Sequence, residues 1–177
     1  MERSNSPSLL SLFGTVGVLL VILIFVFIGL ATEDAGWFLT SFKETPEEIA
    51  IYCYGEQKTI PPEDPAFGPL VTVVNSTLST TKNYDPLTLS DVTYAEYQTS
   101  PVMLVMELYY FPPVRVHSFY KYFSNLDSIV IPLVGRHADT HAIFGRANGF
   151  GTAGSLHFAR IPEILKHLTD NGLCIQP

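Results

Sequence analysis

The densest group of side chains able to do chemistry is Gly135-Arg136-His137-Ala138-Asp139-Thr140-His141, between two apolar runs in the second half of the chain. His137, Asp139 and His141 are spaced by two, so an extended backbone would point all three the same way. Two imidazoles and a carboxylate form a ligand set for Zn²⁺ or a similar ion. The competing reading is a solvated turn between strands. Arg136 and Arg146 stand near the facing ends of two strand candidates, and the planar guanidinium fork suits a carboxylate or phosphate. They are the anion-binding candidates, with the chain's own acids as the alternative partners.

Other patterns carry less. Gly149-Phe150-Gly151-Thr152-Ala153-Gly154 has the letters of a dinucleotide fingerprint. That fingerprint needs a helix beginning in the loop and an acid about twenty residues on. A strand signal follows here instead, which points to a hairpin tip or loop. Ser118 beside His117 and Ser155 near His157 are only neighbours in sequence, and no G-x-S-x-G context supports a nucleophile. No catalytic set and no cofactor are expected. Cys53 and Cys174 are the only cysteines, and an even count outside the cytosol suggests one disulfide between them, two buried thiols being the alternative.

These residues must be positioned by elements, and one stretch governs where all of them sit. Residues 12–31, LFGTVGVLLVILIFVFIGLA, carry no charge and are long enough as a helix to cross the roughly 30 Å core of a bilayer. Ser6-Pro7 has the form of a helix start. Trp37 and Phe38 follow where an interfacial aromatic belt would lie. Gly29-Leu30-Ala31 has the small-x-small form of a signal-peptidase site, but the long apolar core and single Arg3 favour an uncleaved signal anchor. Flanking Lys and Arg hardly discriminate orientation. A short N-terminal tail and the cysteine pair favour a cytoplasmic N-terminus and an extracytoplasmic domain. Asn75-Ser76-Thr77 is a glycosylation sequon, relevant only in a eukaryote. The organisation expected is a tail over 1–11, an anchor over 12–31, a neck over 32–48 and one domain over 49–177.

Within that domain, Phe67, Leu70, Val71, Val74 and Leu78 make an apolar helical stripe. Residues 82–86 read as a turn, and 87–100 as either a helix capped by Ser90 or an edge strand. Residues 102–110 suit a central strand, covered on both faces and interrupted by Pro112-Pro113. The alternation in 114–118 suggests a short strand, and 128–135 another, with Pro132 at an edge or bulge. Residues 142–146 and 155–158 complete the strand candidates. Pro162 opens a last helix that Gly172 closes. Helices bracketing strands predict an α+β fold, an antiparallel sheet packed by two or three helices.

The formal charge is −7, which is unfavourable for nucleic-acid binding. It is uneven: residues 32–113 hold 12 acids and 3 bases, whereas 114–177 hold 4 acids, 6 bases and all five histidines. The aromatic run PPVRVHSFYKYF (112–123) is hard to bury whole and reads as a contact surface. The function expected is a single-pass membrane protein, in contact with the lipid bilayer, whose domain makes protein–protein contacts as an accessory subunit of a membrane assembly. The alternative is a membrane-tethered metal- or anion-binding domain, or a small hydrolase, using residues 136–146.

Overall fold

Helix α1 (Leu9–Thr32) dominates one end of the computed structural model, which describes residues 8–175. The expected Ser6-Pro7 start lies outside those residues. Ser8 caps the helix, its hydroxyl accepting the Ser11 N–H at 3.2 Å. Its 24 residues rise about 36 Å, long and apolar enough to span a bilayer. The domain leaves nearly all of its side chains uncovered.

The rest follows as β1 (Glu48–Cys53), β2 (Glu56–Ile60), α2 (Phe67–Leu78), β3 (Lys82–Asp85), α3 (Asp91–Thr99), β4 (Leu104–Val114), β5 (Leu126–Val134), β6 (Ala142–Ala147), β7 (Phe150–Gly151), β8 (Ser155–Phe158) and α4 (Ile161–Asp170). The strands form an open sheet in the order β2-β1-β4-β5-β6-β8-β3, with β7 paired to β6 and every pairing antiparallel. Successive strand residues face opposite ways, and that period sorts the core. Ile49, Ile51, Leu104, Met106, Leu108, Ile129 and Ile131 join the stripes of α2 and α4 on one face. Ala50, Tyr52, Val105, Val130 and Phe144 join Tyr97 of α3 on the other. The expected α+β domain with an antiparallel sheet packed by helices is what forms.

Several local expectations change. Residues 82–85 make edge strand β3 against β8, and the turn begins only at Asp85, whose carboxylate accepts the Leu87 N–H. The pairing partner lies more than seventy residues away, beyond any local signal. Residues 115–118 do not form a strand; the alternation is real, with Val116 buried, but Arg115 and His117 turn to the neck instead of a neighbouring strand. Pro112 and Pro113 interrupt β4 as expected, without ending it: residues 110–113 bulge opposite a single β5 residue before Val114 pairs with Leu126. A bulge spares the missing proline donors. Pro132 likewise sits beside a register shift of β5. Strand β2 carried no strand signal because four of its five residues are exposed. Its hairpin turn, Tyr54-Gly55, has positive φ at both positions (52° and 92°), which suits a two-residue hairpin loop. Ser90 does cap α3, accepting the Thr93 N–H. The sequon residue Asn75 sits in α2, its amide donating to the Glu44 carbonyl at 3.0 Å.

The C-terminus closes as expected at Gly172, whose φ is +62°. Its N–H reaches the Thr169 carbonyl, and Leu173 N–H the Leu168 carbonyl at 2.9 Å, the paired bonds of a Schellman turn. That turn delivers Cys174 to the end of β1, where it lies at disulfide distance from Cys53 with Cα atoms 5.8 Å apart. The link closes 121 residues, for which the chain-entropy account gives about 5 kcal/mol. Replacing both cysteines by Ser is expected to remove about 2–5 kcal/mol of domain stability, read by urea unfolding in mild detergent. The native protein is expected to label with no free thiol.

Candidate functional site

The residues singled out from sequence do not converge. The 135–141 segment is a series of turns, not an extended strand, with positive φ at His137 and His141 (66° and 54°). The spacing of two therefore does not align His137, Asp139 and His141. Among the described residues no group of three or more His, Cys, Asp or Glu side chains is arranged to hold a metal ion. His137 Nδ1 instead shares a 2.6 Å hydrogen bond with the Tyr97 hydroxyl, and burial, then the Arg136 charge, lowers its pKa. Arg136 pairs with Glu96 at 3.1 Å, while Arg146 lies 3.5 Å over the Tyr94 ring and bonds the Gly149 carbonyl. Both arginines reach α3, each with its own partner. His157 Nε2 faces both Ser155 Oγ (3.4 Å) and Asp85 (3.5 Å). A triad needs the acid on the other ring nitrogen, which here meets the Thr140 carbonyl.

Two clusters that sequence reading missed are better built. The first is inside the sheet. Glu107 of β4 is wholly buried, on the face that α3 covers. Its carboxyl group accepts from Tyr94 (2.9 Å), Tyr109 (2.8 Å) and Ser128 (2.6 Å). Tyr52 adds its hydroxyl to Tyr109 at 3.2 Å, and Gln98 of α3 donates to Tyr52. Burial, then the Glu107 charge, pushes the Tyr94 hydroxyl up to about 12. Burial, with the Tyr52 bond next, holds Tyr109 far above the usual phenol value. Through Tyr94 on Glu107 and Gln98 on Tyr52, this network ties α3 to the sheet.

The second cluster lies at the outer end of α1. The chain turns there at Glu33, whose φ is 55°, and Asp34 is drawn inside, 6% exposed. Its carboxylate accepts the Gly36 N–H at 2.8 Å and lies 3.0 Å from His117 Nδ1 through either oxygen. Arg115 stands 3.9 Å away and donates to the Glu33 carbonyl at 2.6 Å. A Cβ at Gly36 would sit 2.8 Å from the His117 ring, so the approach requires glycine. Further along, Ser79, the C-cap of α2, both accepts from Phe42 N–H and donates to its carbonyl. The run 112–123, read from sequence as a contact surface, is thus committed in part to holding the neck. Phe119 contacts Trp37 with ring centroids 4.6 Å apart, and Phe25 of α1 meets both Trp37 and Phe38.

This joint borders a partly open pocket of about 140 Å³, lined in part by Trp37, Phe38, Lys82, His117, Phe119 and Leu156. Its walls are mostly apolar, and the unbonded Lys82 Nζ and Trp37 Nε1 lie beneath those walls, closed off from water. The Lys82 ammonium has only the face of Phe158, 5.9 Å away. Desolvation lowers its pKa to about 8, against the opposing pull of Asp34. A buried ammonium without a counter-charge is costly, and nothing in the fold of β3 requires a lysine there. The pocket is the candidate site, an apolar recess where the neck, β3 and the 117–120 segment meet.

Set against known proteins, the chain matches no family model, no curated protein and no solved structure.

Tyr109→Phe is expected to destabilise the domain by about 1–3 kcal/mol, since it withdraws one donor from a buried carboxyl and strands the Tyr52 hydroxyl; equilibrium unfolding checks this. Lys82→Met is expected to raise the melting temperature at pH 7. Between about 8 and the ordinary 10.5 the unfolded state holds the lysine proton more tightly, so wild-type stability rises with pH there. The advantage of the Met variant should accordingly shrink across that window, as melts at stepped pH would show.

Proposed function

We propose that this chain is a single-pass membrane protein whose extracytoplasmic domain works against the bilayer surface, as an accessory subunit making protein contacts in a membrane assembly. The observation that carries the reading is the joint between α1 and the domain. Asp34, His117 and Arg115, with the Phe25, Trp37, Phe38 and Phe119 rings, fasten the head to the helix end, where a bare tether would let it swing. A mounted head presents the same faces to a neighbour at a constant height and angle. Tryptophan and phenylalanine around the joint suit the headgroup layer.

Three further features support it. Gly14 and Gly17 meet nothing within 4 Å and leave a shallow notch on α1 beside Phe13, Val18 and Val21. Small residues of this kind let a second membrane helix approach closely. The cysteine pair at bonding distance suits an oxidising compartment. Phe111 and Phe150 project from the domain, 78% and 67% exposed, where aromatic anchors serve contacts.

Full-length protein is expected to stay in the membrane pellet through an alkaline wash and to leave it only with detergent. Protease added outside intact cells should digest the domain. Gly17→Leu, which fills the notch, should cut recovery of a co-purifying membrane partner by about tenfold. Full-length chain in the supernatant would overturn the anchor; protection from external protease would overturn the orientation; undiminished partner recovery would overturn the notch as the contact.

A further inference from the structure

We propose that the 119–122 segment of the domain is a second membrane contact, seated at the acyl–headgroup boundary of the leaflet through which α1 leaves the bilayer. The inference rests on the reading of α1 as a membrane anchor and extends that contact from the helix to the domain itself.

Depth is the first argument. From Leu9 to Phe25 the helix rises about 24 Å, short of the roughly 30 Å hydrocarbon core. A span that begins at Leu9 or later therefore has Phe25 still among acyl chains, with about 10 Å of α1 to follow before Thr32. Trp37 and Phe38 lie against Phe25, with ring centroids 6.0 and 5.6 Å away, so the chain beyond α1 folds back beside the helix. Phe119, from the domain, packs on Trp37 at 4.6 Å. Even with both contacts directed straight outward, Phe119 ends about 35 Å from the level of Leu9, within the headgroup layer that flanks the core.

Exposure is the second. Phe38, Phe119 and Tyr122 are 53%, 59% and 45% exposed, and Leu39 and Tyr120 are also at the surface. Single exposed apolar residues are ordinary, whereas a group of them marks a contact. This group is continuous with the anchor, because Phe38 touches Phe25 and Phe25 is itself exposed on α1. One apolar surface runs from the helix onto the domain, and the lipid that covers the first part covers the rest. Tyrosine suits that boundary, with an apolar ring and a hydroxyl that stays wet.

Construction is the third. Phe123 is wholly buried, and its carbonyl accepts the Val116 N–H at 2.8 Å. Ser118 Oγ accepts the Tyr120 N–H at 3.2 Å and donates to the Tyr120 carbonyl at 3.0 Å. The Tyr120 ring stacks on Tyr84 of β3 with centroids 3.9 Å apart. The fold thus pins this segment from beneath and leaves the Phe119 and Tyr122 rings outside, already in place for lipid.

Full-length protein would be reconstituted in phosphatidylcholine vesicles made with and without lipid brominated at carbons 6 and 7 of an acyl chain. Trp37 is the only tryptophan in the chain, so wild-type emission reads the neck. The domain segment is read by Tyr122→Trp and, separately, by Phe119→Trp, each on a Trp37→Phe background; every exchange keeps an aromatic ring. Bromolipid is expected to quench each tryptophan by about half, as for groups held at the acyl boundary, and iodide in the buffer to quench little. Emission from position 119 or 122 that ignores bromolipid and yields to iodide would overturn the proposal. Emission shielded from iodide yet indifferent to bromolipid would overturn lipid as the occupant and assign the segment to a second copy of this chain. Flotation of the same vesicles separates this inference from the reading beneath it. A chain that floats with the lipid while those tryptophans stay unquenched keeps the anchor and loses the second contact. A chain that stays at the bottom of the gradient loses the anchor.

Discussion

The arrangement of this protein depends on one buried carboxylate. Asp34 lies just past the end of a helix with no other charged group, and it is held inside by a backbone N–H, an imidazole and a guanidinium supplied from residues 115–117. A carboxylate leaves water only where such partners replace it. Those partners come from the segment joining β4 to β5 in the centre of the sheet. The clasp therefore ties the axis of α1 to the middle of the domain, and a rigid joint replaces what would otherwise be a loose linker.

Once that joint exists, the aromatic residues on either side of it have no freedom to bury themselves elsewhere. Phe25, Trp37, Phe38 and Phe119 gather at the helix end, and the cavity is the space their rings leave against β3 and β8. Lys82 lines this space because β3 pairs with β8, register by register from Lys82 against Phe158. Its long stem crosses apolar ground to a place where its charge is unanswered. The Glu107 network on the other side of the sheet shows the contrast. There a buried acid is answered by three hydroxyls and a relay of two more side chains, and the result is a stiff, closed unit. A satisfied polar cluster of this kind stiffens the fold, whereas an unsatisfied buried donor carries its full desolvation cost.

Much of the scaffold was readable where the signal is local. The stripe of α2, the Ser90 cap of α3, the apolar run of β4 and the Pro162 and Gly172 boundaries of α4 all follow from side-chain period and end chemistry within a few residues. Strands β2 and β3 were not readable, because an exposed edge strand of polar residues looks like a loop until its partner is known. The run 114–118 failed in the opposite sense: its alternation was correct, but a strand also needs a neighbour, and the neck took the polar side chains first. Among the chemical candidates, the pairing of Cys53 with Cys174 was suggested by an even count outside the cytosol, with two buried thiols as the alternative, and the fold brings the two to bonding distance. The 137–141 triplet was not aligned as its spacing implied, since alternation has meaning only in extended backbone and turns with positive φ occur there instead.

By itself, then, the sequence determined what depends on composition and short-range order: a long apolar helix, an α+β architecture, and a single candidate pair of cysteines within these 177 residues. Tertiary structure alone decided which polar groups are answered. Asp34 and Glu107 find partners from distant segments, while Lys82 and Trp37 are enclosed and find none. Burial and hydrogen-bond satisfaction belong to the assembled chain, where residues from Trp37 to Leu156 meet around one cavity, and no window of sequence contains that meeting.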